Sequence, residues 1–184
     1  MSKKILIITG DAGESYETLY ALHRLQEAEY EPVLAAPSKR RLNLVMHDFE
    51  PGWDTYIERP GYKVESDLTF DNVDPNDYEA ILILGGRAPE YLRHDQTLLS
   101  IVRDFHTAEK WIFSICHGIQ VLIAAGLTDG KQLTCYEHVR FELEASGGTY
   151  RTEEAVRDGN FVTGQTWQSH PEFYREVFSC LNGN

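Results

Sequence analysis

Trp111-Ile112-Phe113-Ser114-Ile115-Cys116-His117-Gly118-Ile119-Gln120-Val121-Leu122-Ile123-Ala124-Ala125-Gly126 carries two apolar runs joined by a Cys-His-Gly step. The first five residues, rich in β-branched and aromatic types, read as a buried strand. The run from Ile119 to Ala125 reads as a helix that Gly126 stops. A buried strand that passes straight into a helix is the setting of a nucleophile elbow. Small residues two before (Ser114) and two after (Gly118) let the backbone turn sharply there. Cys116 then sits at a helix N-terminus, where unpaired N–H groups favour thiolate over thiol. The competing reading is a buried structural cysteine.

The same alternation extends outward from this segment. Lys4 to Thr9 reads as a first strand, followed by the turn Gly10-Asp11-Ala12-Gly13 and a helix with Leu19, Leu22 and Leu25 at helical spacing. Pro32 to Ala36 is a second strand. Ala80 to Leu84 is a third, ended by Gly85-Gly86, with a helix from Leu98 to Phe105. Strands buried on both faces, each followed by a helix, predict a mainly parallel sheet covered on both sides. The expected fold is a flavodoxin-like α/β sandwich forming one domain over residues 1–184. Residues 41–70 break the rhythm and predict a β-hairpin insert turning near Arg59-Pro60-Gly61. Ala155 to Thr163 predicts a second hairpin with Asp158-Gly159 at its turn.

The chain has 184 residues, 42% of them hydrophobic, and a formal net charge of −12. That length buries enough surface to need no disulfide or metal staple. The charge opposes nucleic acid and anionic membranes as partners. Cys116, Cys135 and Cys180 are odd in number and lack a CxxC pair, which suits a reducing compartment and predicts a cytoplasmic protein. No apolar run is long enough for a signal peptide or a membrane span. There is no GxGxxG, P-loop or HExxH motif and no Cys/His set at zinc spacing, so neither cofactor nor metal is expected.

Ser114-Ile115-Cys116-His117-Gly118, Gly85-Gly86-Arg87-Ala88-Pro89-Glu90 and Glu14 at the first strand–helix turn together resemble the ThiJ/PfpI superfamily, from Lys4 to about Phe178. His47-Asp48-Phe49 and the stretch from Trp167 to Phe173 are most similar to the branch with plant glyoxalase-III-type proteins. The resemblance implies a cofactor-independent glyoxalase-III or deglycase-like enzyme. Its Cys116 would attack small 2-oxoaldehydes or their early glycation adducts. Two alternatives stay open: an intracellular cysteine peptidase of the PfpI type, and a non-enzymatic redox sensor or holdase whose Cys116 is only an oxidisable thiol.

Glu14 and Cys116 both follow the carboxyl ends of predicted parallel strands, where ligands bind. A carboxyl beside a thiolate has a raised pKa, so a protonated Glu14 could donate to the sulfur. The alternative is a helix cap, since Asp11 and Glu14 have capping-box spacing. Neighbouring helical residues point apart, so His117 need not touch the thiol. The resemblance pairs His117 with Glu90 of a neighbouring subunit, which implies a homo-oligomer. The N–H groups of Gly86 and His117 could form an oxyanion hole. His170 and His47 are candidates to line the substrate pocket, although Ser169 and Glu172 have capping-box spacing and favour a plain helix start there. His23, His94, His106 and His138 read as ordinary surface or core residues.

Overall fold

The four apolar runs all enter one sheet. The computed structural model describes residues 3–183. Its elements begin with β1 (Lys4–Ile8), α1 (Ser15–Glu27), β2 (Glu31–Ala36), β3 (Arg41–Asp48), β4 (Ile57–Glu65) and β5 (Leu68–Thr69). They continue with β6 (Ala80–Ile83), α2 (Ala88–Leu92), α3 (Gln96–Thr107), β7 (Trp111–Ile115) and α4 (Ile119–Ala124). The chain closes through β8 (Gln132–Leu133), α5 (Arg140–Ala145), β9 (Thr149–Tyr150), β10 (Ala155–Asp158), β11 (Phe161–Gly164) and α6 (His170–Leu181).

The main sheet has the order β10-β11-β7-β6-β1-β2-β5, and only β10 runs antiparallel to its neighbour. The inner strands are apolar throughout because both faces are covered: Ile5, Leu6, Ile7, Ile8, Ile81, Ile83, Ile112 and Phe113 have no exposed surface. Helices α1 and α6 pack together through Tyr20 and Tyr174, with Arg24 lying over Phe178. Helices α2, α3, α4 and α5 form a second group around α4. This is the expected flavodoxin-like α/β arrangement.

The hairpin insert exists, but its turn lies elsewhere. Strands β3 and β4 pair from Arg41↔Glu65 to Asp48↔Ile57, so residues 49–56 make the connection and the chain turns at Pro51-Gly52. Arg59, Pro60 and Gly61 lie inside β4 instead. A two-stranded ribbon leaves one edge of each strand unpaired, and there a proline without an N–H is tolerated. The second hairpin turns at Gly159-Asn160, because Asp158 already pairs with Phe161. The C-terminal helix starts differently from the expectation too. Thr166 and Ser169 form the capping box, Ser169 makes no side-chain cap to α6, and Glu172 bonds Arg175.

The inward stripe of α1 also differs from the leucine pattern. Glu17, Thr18, Ala21 and Leu25 are buried, whereas Leu19 and Leu22 are only partly so. This rotation carries a glutamate into the interior beside the end of the sheet.

Candidate active site

Strands β1, β6 and β7 are parallel neighbours, so Thr9, Leu84 and Cys116 leave the sheet at one edge. The insert is tied to this edge: Gly13 bridges Gly86, Glu14 bridges Val45, and the Val45 N–H donates to the Gly13 carbonyl at 2.9 Å.

Cys116 follows β7 directly with φ +59°, a left-handed conformation that side-chain-bearing residues seldom adopt. A short 3-10 turn, Cys116–Gly118, then leads into α4. The elbow is tight. A Cβ on Gly118 would lie 2.5 Å from the Ile83 carbonyl oxygen, and one on Gly85 would lie 2.6 Å from Cys116 Cβ. Glycine is required at both places by contact distance alone.

Because Cys116 is left-handed, it does not continue the helix that follows, and the rule that neighbouring helical residues diverge does not apply. His117 Nδ1 lies 3.3 Å from Cys116 Sγ. The backbone N–H groups of His117 and Gly86 also donate to the sulfur.

The carboxyl beside the thiol belongs to Glu17, not to Glu14. Glu14 is the N-cap of α1: its Oε2 accepts from the Glu17 N–H at 2.7 Å and its Oε1 from the His47 N–H at 3.4 Å. Capping therefore occupies Glu14, while Asp11 turns to Arg40 and the Asn43 N–H. Glu17, one turn on, points inward. It has no exposed surface, accepts from the Gly85 N–H at 2.7 Å and lies with Cys116 Sγ against Gly85.

Burial, followed by repulsion from Glu14, pushes Glu17 up to about 8, so it holds its proton at neutral pH. Burial and then Glu17 push the Cys116 thiol well above its ordinary value, against the two N–H donors. The expected thiolate-favouring helix end is thus overridden by desolvation. Burial, with His47 and His138 nearby, brings His117 down to about 4. The resting edge is consequently neutral: a thiol, a carboxylic acid and an imidazole able to accept a proton.

The insert roofs this edge. His47 stacks on Tyr56 at 3.8 Å, and Tyr56 and Tyr136 approach the His117 ring at 5.8 and 5.2 Å. Tyr136 is fixed by Thr55 and by His138, whose Nδ1 lies 2.9 Å from the phenol oxygen. Cys116 is left 6% exposed.

Cys116, His117, Gly86, Glu14 and His47 therefore meet at one place. Glu90 stands exposed in the first turn of α2, and no hydrogen bond joins it to His117 within the chain. His170 lies apart, stacked on Tyr20 at 4.5 Å and edged by Tyr16 and Tyr174, beside a cavity of about 370 Å³. Among the described residues, no three His, Cys, Asp or Glu side chains gather as a metal site requires.

Sequence reasoning missed Glu17, Tyr56, Glu58, Arg87 and Tyr136. A signal existed for Glu17 alone, which shares a helical stripe with Ala21 and Leu25 at spacings of four.

The DJ-1/PfpI family model matches residues 3–179. The chain is 38% identical to Protein DJ-1 homolog D of Arabidopsis thaliana over 98% of its own length and 48% of that protein. It is 36% identical to Deglycase PH1704 of Pyrococcus horikoshii, over 97% of this chain and 99% of that one. A crystal structure from Anabaena variabilis, with DJ-1/ThiJ/PfpI-like and ferritin-like domains, superposes with a TM-score of 0.86 at 25% identity, over 98% of this chain and 48% of that one. The chain thus spans about half the length of its Arabidopsis and Anabaena relatives. Matched by the family model over nearly its whole length, and carrying an elbow cysteine beside an imidazole, the chain belongs to the DJ-1/PfpI family.

Proposed function

We propose that the chain is a cofactor-independent enzyme of the glyoxalase-III or deglycase type, acting on small 2-oxoaldehydes or their early adducts. One observation carries this reading: a buried thiol 3.3 Å from an imidazole and beside a fully buried glutamate. The name Deglycase PH1704 supports it, while another relative is named Putative cysteine protease YraA.

Cys116 Sγ adds to the aldehyde carbon as His117 Nδ1 takes the thiol proton, forming the C–S bond and opening the carbonyl. The N–H groups of Gly86 and His117 receive the developing oxyanion, which Glu17 protonates to a hemithioacetal. As a carboxylate, Glu17 then removes the C1 hydrogen and returns it to C2. The protonated His117 supplies the C2 hydroxyl proton, and the C1 hydroxyl returns its own to Glu17. The product is a thioester, which water cleaves to a 2-hydroxy acid and free thiol, with no net oxidation. A site this enclosed suits a small substrate better than an extended polypeptide. Glu90, exposed and without His117 as a partner in its own chain, is proposed to reach the imidazole of a neighbouring subunit.

The test compares wild type with Cys116→Ser on methylglyoxal, glyoxal, a glycated thiol and casein. Hydroxy-acid formation that disappears in the variant is the expected result. Cys116-dependent cleavage of casein without aldehyde turnover would establish the peptidase instead, and persistent turnover in Cys116→Ser would remove the nucleophile from the scheme.

A further inference from the structure

The hairpin insert holds one histidine in a defined tautomer. His47 on β3 lies directly opposite Glu58 on β4, and its Nε2 is 3.0 Å from Glu58 Oε2. Arg87 grips the same carboxylate with both arms, Nε to Oε2 at 2.6 Å and Nη2 to Oε1 at 2.9 Å. That fork holds Glu58 below the usual carboxylate range, so at neutral pH it is ionised and only accepts. His47 Nε2 must therefore carry the hydrogen, and Nδ1 is left as a bare lone pair.

That lone pair has no partner. His47 is 3% exposed and its Nδ1 is buried without a hydrogen bond, although the ring stands edge-on to His117 at 6.2 Å. Leaving a buried acceptor unmade carries its full desolvation cost. Stacking on Tyr56 does not require it, since a phenyl ring would stack as well. While the ring is neutral, the relay from Arg87 through Glu58 keeps Nδ1 from acting as the donor. A lone pair fixed in this way, beside the imidazole that touches the thiol, is suited to a hydrogen-bond donor such as a hydroxyl.

We infer that His47 Nδ1 accepts a hydrogen bond from the hydroxyl of the hemithioacetal formed on Cys116. His47 is then a catalytic residue, and Glu58 and Arg87 are positioning residues that fix its tautomer. The inference rests on the aldehyde-addition reading of Cys116 and adds only this hydrogen bond to it.

Acetaldehyde separates the two ideas, because it can add to the thiol but lacks the second carbonyl needed for turnover. Its protection of Cys116 from iodoacetamide is measured in wild type, His47→Phe (stack kept, acceptor lost) and His47→Asn (acceptor kept near Nδ1). The half-protecting concentration should rise about 10-fold in His47→Phe, in line with one lost hydrogen bond, and by less in His47→Asn. Equal protection of wild type and His47→Phe overturns the inference while leaving the addition chemistry intact. Protection in wild type without methylglyoxal turnover overturns the functional reading, and the variant ratio still judges His47. No protection in wild type overturns both. If His47→Phe does not fold, Glu58→Gln decides. Its kcat/KM on methylglyoxal should fall and its acid limb should move to lower pH. The reason is that the protonated ring, which also faces His117, Tyr56, Arg87 and Glu90, loses its carboxylate. An unmoved limb overturns the inference.

Discussion

His47 and His170 are equally buried, each 3% exposed, yet they occupy opposite kinds of environment. His47 is oriented by a carboxylate that an arginine keeps ionised, and it faces the histidine that touches Cys116. His170 has no hydrogen bond on either nitrogen and is boxed by Tyr16, Tyr20 and Tyr174. Burial neutralises both rings, but only the first environment directs a lone pair and connects it to a reactive group. Around Cys116 the buried polar atoms are arranged toward one another; around His170 an imidazole serves as one more flat ring in an aromatic stack. A buried histidine signals chemistry only when charge partners fix its tautomer and orientation.

The sharpest break between the two regions is expected in turnover. Cys116→Ser should lower 2-hydroxy-acid formation by on the order of 10³-fold or more, the loss expected for a nucleophile. Steady-state assays on methylglyoxal check this, and a smaller loss would mean that the edge does not work through its thiol.

Next in size is the contrast between the two glutamates. Glu17→Gln should cost roughly 10²–10⁴-fold in turnover, the range for a lost acid/base group. Glu14→Gln keeps a cap acceptor and should lose far less. Their pH–stability profiles should differ as well. Glu17 is raised from 4.5 to about 8, so its contribution is complete below 4.5 and is lost as pH rises through 8. Thermal unfolding of Glu17→Gln should therefore decline less than wild type between pH 5 and 8.5. The reverse ranking of the two variants in turnover would return the acid to Glu14.

A third measurement probes the aromatic box. Burial lowers His170 from 6.5 to about 4, so the neutral ring contributes stability above 6.5 that is lost as pH falls through 4. His170→Phe keeps the stack and removes the titration. Its melting temperature should drop by several degrees less than wild type between pH 7.5 and 4.5. Identical acid sensitivity would show that the box opens to water before the ring charges.

The smallest expected effect concerns assembly. Mixing Cys116→Ser with Glu90→Ala subunits should restore part of the activity if Glu90 serves a neighbour's His117, because some hybrid sites would pair intact residues. Hybrids seen by native mass spectrometry without any recovery would confine Glu90 to its own helix start, where an acid is favourable in any case.

The strand–elbow–helix segment, the parallel strands and the hairpin insert were legible because burial on both faces writes an unbroken apolar run into the sequence. The elbow was legible because close approach of Gly85 and Gly118 to neighbouring atoms excludes larger residues. The identity of the acid was not. The stripe of Glu17, Ala21 and Leu25 competes with that of Leu19, Leu22 and Leu25, and only the rotation of α1 against the sheet turns Glu17 inward. Neither was the His117 contact, which depends on the left-handed backbone of Cys116.

The sequence by itself determined the sheet, the position of the nucleophile and the edge on which chemistry would gather, because these follow from local periodicity and from residues that permit a sharp turn. Only the tertiary structure decided which carboxyl meets the thiol, that the thiol rests protonated, and that His47 is held by Glu58 and Arg87 from separate segments. Those outcomes depend on desolvation and on contacts between residues far apart in the chain, and both are set by how the layers pack.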